Sequence, residues 1–282
     1  MGKKKKKTMT EAEWQASTNL YEMLKVARPH LTRRKKQLLF LGFARRVQHL
    51  LKDDRSLAAL EVLDRSIDGG VKPKEMKDAR RAAKSAYFDA EDALQSCWKD
   101  CASVVRAAGL EYIRVINYMV PVKNRRILTS LTKAHAAGAA MYAALVIQSA
   151  LKKTSSPACV WEDAGNALGE EARHLGEPRN EEESDQIWEM AEQATMEVLC
   201  AQLRDIVGNP YHPSVLDLEW LTPTVVSIAQ RVYDEREFSG MPVLADALED
   251  AGSTDTAILD HLRGPGPHVR GCWVLDLILG KE

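Results

Sequence analysis

Small and apolar residues recur in steps of three or four along one stretch of this chain, at Met76, Ala79, Ala83, Ala86, Ala90, Ala93, Cys97, Cys101, Val104 and Ala108. That spacing is the period of an α-helix, and no strand shares it. It predicts one helix from Pro73 to Ala108, about 50 Å long at 1.5 Å per residue. Its seam resembles that of a coiled coil, and alanine and cysteine on the seam allow close approach by a neighbour. A second long helix is expected from Asn124 to Lys152, with Gly138 at a tight contact. Pro157 to Leu175 and Glu181 to Val207 read as two more. Four such helices in succession predict an antiparallel bundle.

Shorter helices flank it. Thr10-x-x-Glu13 is a capping box, in which hydroxyl and carboxylate satisfy end N–H groups reciprocally. Helices are expected over Asn19–Ala27, Arg33–Leu51 and Ser56–Ile67, the last stopped by Gly69-Gly70. Gly208-Asn209-Pro210 breaks the pattern and opens a loop over residues 209–221. Thr222 then caps a helix with Pro223 in its first turn, running to Glu237. Met241–Ala251 and a short helix from Thr254 or Asp255 through Leu262 follow. Gly271–Leu279 reads as a terminal helix, with a buried strand as the alternative for so short an apolar run. The fold class is therefore all-α: a basic tail over 1–9, short helices over 10–70, a long-helix bundle over 71–207 and a compact helical unit over 208–282.

Composition agrees. Hydrophobic residues make up 45% and charged residues 28%, the balance of an ordinary globular protein. Lys3–Lys7 is a run of like charges with nothing to pack on, expected to be disordered. Glu11 and Glu13 follow it where a signal peptide needs an apolar region, and Lys6 stands where myristoylation needs Ser or Thr. The five cysteines, 97, 101, 159, 200 and 272, are odd in number and do not suggest a disulfide framework. Free thiols in a reducing compartment are expected, and hence a cytoplasmic protein. Ala134–Leu151 lacks Asp, Glu, Lys and Arg, but alanine contributes little transfer energy, so a buried bundle helix is expected and not a membrane span. Charge is lopsided: residues 1–158 carry 31 basic and 15 acidic side chains, residues 159–282 carry 8 and 25. Mutual packing of the halves is the plainer reading, and an anionic partner for the basic half the sharper one.

The two ends of the chain carry a resemblance. Thr10-Glu11-Ala12-Glu13-Trp14 and Leu50-Leu51-Lys52-Asp53, leading into Arg55-Ser56, form the N-terminal part. The C-terminal part is tighter. It comprises Leu203-Arg204-Asp205-Ile206, Gly208-Asn209-Pro210, Trp220-Leu221-Thr222, Tyr233-Asp234-Glu235-Arg236, Leu244 to Glu249, Ile258-Leu259-Asp260-His261 and Gly264 to Trp273. Together they resemble a large paralogous family of uncharacterised planctomycete proteins, over about half of the chain. The resemblance brings no function with it. Similar proteins often carry a cysteine pair before two arginines, where this chain has Phe43-Ala44 before Arg45-Arg46, so a metal site using that pair is not available here.

Three constellations bear on chemistry. Asp260, His261, His268, Arg270 and Cys272 surround the Gly264-Pro265-Gly266-Pro267 loop. Zinc needs three or four ligands placed tetrahedrally, and a fourth protein ligand would have to come from elsewhere. The weightier expectation is a stiff loop that docks the last helix, with Arg270 on a carboxylate or on helix carbonyls and His261 donating to backbone. Cys97 and Cys101 lie one turn apart, with Cys200 and His135 as conceivable co-ligands, yet buried cysteine usually packs as a small hydrophobe. Glu171-x-x-His174 has di-iron spacing in a single copy where two are required. No ligand is therefore assigned to a metal, and no cofactor is expected. Arg33, Arg34, Lys35, Lys36, Arg45 and Arg46 are the candidate anion-binding residues, which Arg80, Arg81, Lys84, Lys123, Arg125 and Arg126 would extend. Nucleotide-binding, hydrolase and zincin motifs are absent from the sequence. The leading expectation is a non-catalytic helical scaffold with a protein partner. The alternatives are nucleic-acid or anionic-surface binding through the basic half, and a metal protein or enzyme centred on residues 260–272.

Overall fold

The computed structural model describes residues 9–109, 125–152, 157–176 and 181–281. Lys3–Lys7 and Lys123 lie outside them. The described residues are all-α, without strands. Twelve α-helices are found among them: α1 Glu11–Ala16, α2 Leu20–Ala27, α3 Arg33–Arg46, α4 Asp54–Ser66, α5 Pro73–Ala107, α6 Arg125–Ala150, α7 Pro157–Gly176, α8 Glu181–Val207, α9 Pro223–Glu235, α10 Met241–Asp250, α11 Thr256–Arg263 and α12 Trp273–Leu279. None is long and apolar enough to cross a membrane. The chain forms two compact units, one of residues 1–39 with 197–282, the other of residues 40–196.

The second unit is built on α4 to α7. Asp53 caps α4, its side chain accepting from Arg55 N–H at 2.8 Å. The apolar face of α4 buries Ala59, Leu60 and Leu63, and the helix packs on α5 and α6. α5 starts on Pro73, where the missing N–H costs nothing, and runs 35 residues, about 50 Å. Its seam holds at Ala79, Ala83, Ala86 and Cys101, all buried. It departs at Ala93, which is exposed, while Val105 and not Val104 is the buried residue. Steps of three and four drift around a helix, and the half-buried Leu94 and Trp98 satisfy the same stepping. α6 buries Ala134, Ala143, Val146 and Ile147 and packs on α5 and α7. Gly138 is where a Cβ would come within 3.2 Å of Glu170, and Gly169 where one would meet the Trp188 ring at 2.5 Å, so both keep helices close. α3 stops at Arg46 instead of running to Leu51, because Val47 leaves the helical region (φ −101°, ψ 6°) and residues 48–50 form a 3₁₀ turn.

Asp163, half-buried on α7, has its carboxyl pushed up to about 6 by burial, with Glu162 adding to the rise and Ser149 and Lys152 opposing it. A folded pKa above the unfolded one costs stability as pH rises. The penalty is absent below about 4, grows up to about 6 and is complete above that. Full linkage would be about 3 kcal/mol, and partial exposure reduces it to about 1–2 kcal/mol. Asp163→Asn is therefore expected to raise the melting temperature by about 3–5 °C at pH near 7.5 and by nothing near pH 4. Paired thermal melts at the two pH values check this, and an equal gain at both would contradict it.

The first unit gathers both ends of the chain. Its apolar core joins Val225, Ala229 and Val232 of α9, Met241, Leu244 and Leu248 of α10, Ile258 and Leu262 of α11, and Val274, Leu275 and Ile278 of α12. The last segment is thus a helix and not a strand. Thr10 and Glu13 form the expected capping box, Glu13 N–H donating to Thr10 Oγ1 at 3.2 Å and Thr10 N–H to Glu13 Oε2 at 2.7 Å. α1 buries Trp14 completely. Arg204, near the end of α8, holds this N-terminal turn by donating to the carbonyls of Trp14 (3.0 Å) and Ser17. Asn209 adds a bond from Nδ2 to Glu11 Oε1 at 2.6 Å.

Candidate metal centre

The segment around the Gly-Pro loop acquires its fourth group from α8. Gly208 ends that helix in the left-handed region (φ +76°) and lies against the Trp273 ring, which a Cβ there would approach to 3.1 Å. One turn earlier on α8 is Asp205, only 3% exposed between the buried Leu203 and Ile206. His261 comes from the last turn of α11 and His268 from the loop after it, where the Gly266–Pro267 peptide is cis. Cys272, fully buried, is the residue before α12. Gly271 lets it arrive there: at φ +92°, a Cβ would sit 2.3 Å from Leu38 Cδ1, so neither the backbone angle nor the space admits a side chain.

One ligating atom from each of Asp205, His261, His268 and Cys272 lies within 4.8 Å of all the others. Asp205 Oδ1 is 3.1 Å from His261 Nε2 and 3.2 Å from His268 Nδ1. His261 Nε2 is also 3.1 Å from Cys272 Sγ. Asp205 Oδ2 is held separately, accepting from Val269 N–H at 2.8 Å. The two imidazoles meet edge to face at 5.0 Å, and the Trp273 ring lies 5.1 Å from that of His261. Burial works to raise the Asp205 carboxyl, but the hydrogen bonds with His261, His268 and Val269 outweigh it and hold the group below the usual range. Asp205 raises His268 above its ordinary value against burial, with a smaller pull from the Gly264 carbonyl. Burial, reinforced by the Asp205 charge, pushes the Cys272 thiol well up, while the amides of Leu275 and Val274 oppose it.

Cys, His and Asp together suggest a nucleophilic relay, but the contacts are wrong for one. A relay uses one imidazole nitrogen for the thiol and the other for the carboxylate. Here Asp205 and Cys272 both address the same nitrogen of His261, and Cys272 is sealed from solvent. Each imidazole nitrogen has a single in-plane direction, so a shared vertex is poor hydrogen bonding. It is good coordination geometry: tetrahedral zinc with N and O at about 2.0–2.1 Å and S at about 2.3 Å spaces its ligands about 3.3–3.7 Å apart. The observed separations bracket that cage, and the Val269 amide supplies the outer hydrogen bond that fixes a ligating carboxylate.

The residues singled out in the sequence divide. His261, His268 and Cys272 converge. Asp260 is exposed and outside the group. Arg270 turns to Tyr233, donating from Nε to its hydroxyl at 3.3 Å with the guanidinium 5.6 Å over the ring. Asp205 was missed, although an aspartate in the buried stripe of Leu199, Leu203 and Ile206 is itself a signal, since a lone carboxylate there needs a cation or donors. Among the described residues, Cys97, Cys101 and Glu171-x-x-His174 enter no group of three ligating side chains. Cys101 packs buried, His135 bonds Glu170 at 2.7 Å and Glu171 bonds His49 at 2.8 Å. Cys159 lies outside the residues whose side chains are described.

Two of the six basic candidates are spent internally. Arg34 forks onto Asp276 with NH1 and NH2, and also donates to Tyr233 Oη at 2.9 Å and to the Lys281 carbonyl at 3.1 Å. Arg45 pairs with Glu61 at 2.8 Å and Asp64 at 2.6 Å. Arg33 and Arg46 are exposed, while Lys35 and Lys36 are half-buried.

A cavity of about 460 Å³ opens beside the cluster, lined by Asp205, His261 and His268 together with Trp14, Gln15, Arg204, Asn209, Ala257, Pro267 and Trp273. No family model, curated protein or solved structure matches the chain.

Proposed function

We propose that this chain is a metal-binding helical protein whose Asp205, His261, His268 and Cys272 coordinate a tetrahedral divalent transition metal, zinc by preference. The convergence of four ligating atoms within 4.8 Å carries this reading. The donor set is one sulfur, two imidazole nitrogens and one carboxylate oxygen, which suits zinc and is too soft for magnesium or calcium. The ligands come from the end of α8, from α11 and from the segment before α12, so the ion would tie three separated pieces of the first unit together. A full complement of protein ligands is the pattern of structural zinc. The scaffold reading is compatible with it, the metal fixing the unit that would meet a partner.

Elemental analysis of protein purified without chelator tests the proposal. About one zinc per chain is expected, falling below about 0.1 in Cys272→Ser and His268→Ala, while Cys97→Ser keeps its metal. Zinc that is substoichiometric and unchanged by Cys272→Ser would overturn it.

A further inference from the structure

Part of the charge imbalance between the two halves of the chain sits on two helix faces that point to solvent. On α5, Lys74, Lys77, Arg81 and Lys84 are exposed, and Phe88 follows them at 47% exposure. On α8, Glu182, Asp185, Glu189 and Glu192 are exposed, and the half-buried Met196 follows them. Both sets advance in steps of three, four, three and four. Each is therefore one stripe along its helix, about 21 Å long. All of these residues belong to the second unit.

Most of the charges have no counter-charge within the chain. Lys74, Lys77, Lys84, Glu182, Glu189 and Glu192 make no ion pair among the described residues. Lys84 lies 5.7 Å over the Phe88 ring. Arg81 meets Asp78 at 3.5 Å and Asp185 meets Arg173 at 3.3 Å, yet Arg81 and Asp185 stay 73% and 60% exposed and can take a second partner.

Exposed lysines and glutamates are common on helices, and the match between the two stripes is what singles these out. Laid parallel, α5 and α8 set Lys74 against Glu182, Lys77 against Asp185, Arg81 against Glu189, Lys84 against Glu192 and Phe88 against Met196. Opposite charges meet in every layer but the last, where a thioether meets an aromatic ring, itself a favourable contact. Sliding one helix by seven residues sets Arg81 against Met196 in one direction and Phe88 against Glu189 in the other, so the register is specific. Within one chain both stripes face solvent and do not meet each other. We infer that the α5 stripe of one copy docks on the α8 stripe of a second copy of this chain. A two-fold pair makes the contact twice. Its charges are near solvent, so the association is weak and sensitive to salt.

Sedimentation velocity of the full chain tests this. Self-association is expected at about 200 µM protein in low salt, with a dissociation constant that rises about ten-fold or more on going to about 0.5 M salt. Lys77→Glu/Arg81→Glu and Glu189→Lys/Glu192→Lys each place like charges across the contact and should weaken self-association about thirty-fold. Lys and Glu are both strong helix formers, so both variants should keep the wild-type circular dichroism and melting temperature. Mixing the two variants restores opposite charges on both faces, and the mixture is expected to associate where neither variant does alone. A wild-type chain that stays monomeric in low salt overturns the inference. If that monomer instead binds duplex DNA and loses it in Lys77→Glu/Arg81→Glu, the α5 stripe serves nucleic acid. Self-association that is unchanged in both variants, or a mixture that stays monomeric, also overturns the inference.

Discussion

Chelation is expected to lower the melting temperature of the first unit by about 15 °C and to leave the second unit where it was. At free zinc about a thousandfold above Kd, binding to the folded state alone contributes about 4 kcal/mol. In a unit of this size each kcal/mol moves the midpoint by about 4 °C. The apolar cluster of α9 to α12 remains without the ion, so the apo unit is expected to be loosened and not fully unfolded. The loosening should concentrate where the ligands are. In apo protein, Asp205 stays buried with only hydrogen bonds to hold it, and Gly264 to Gly271 loses the tie that fixes it to α8. Hydrogen exchange followed by mass spectrometry assigns the effect by segment. Faster exchange over residues 199–208 and 258–275, and unchanged exchange over α5 and α6, is the expected pattern. Uniform acceleration, or none, would contradict the assignment.

Asp276→Ala is expected to destabilise the first unit by about 3–5 kcal/mol. Asp276 is buried and its partner Arg34 nearly so, their side chains being 3% and 12% exposed. Burial works against the Arg34 charge, and it stays charged because Asp276 and Tyr233 surround it. Removing the carboxylate leaves a largely buried guanidinium with the Tyr233 hydroxyl and the Lys281 carbonyl but without that counter-charge, which is the costly way to break a buried pair. Replacing both partners with apolar residues of similar size is the inexpensive way. The double variant Arg34→Met/Asp276→Leu should therefore recover more than half of the loss, read by urea unfolding of the three proteins. If Asp276→Ala costs under about 1 kcal/mol, the pair is not the clamp between α3 and α12 that its geometry implies.

Much of the helix inventory was legible because local chemistry and tertiary packing agree. Thr10 and Thr222 cap the helices they announce, Asn19 caps the helix expected to begin with it, and Gly208 stops α8 where the sequence breaks. Gly271–Leu279 was ambiguous because seven apolar residues fit helix and strand alike. Packing of Val274, Leu275 and Ile278 into one core decides for the helix, and no local signal holds that information. The basic run was partly unreadable for a related reason. Arg34 and Arg45 are indistinguishable in sequence from their exposed neighbours, and only their long-range partners Asp276 and Asp64 show that both are paired within the chain. The site was half visible. His261, His268 and Cys272 cluster within twelve residues, but Asp205 stands more than fifty residues upstream and is joined to them by folding alone.

X-ray absorption at the zinc edge tests the central claim most directly. Zinc bound by Asp205, His261, His268 and Cys272 gives one sulfur at about 2.3 Å and three nitrogen or oxygen neighbours at about 2.0–2.1 Å, with imidazole outer-shell scattering. A first shell without sulfur, or with six light atoms, would contradict it.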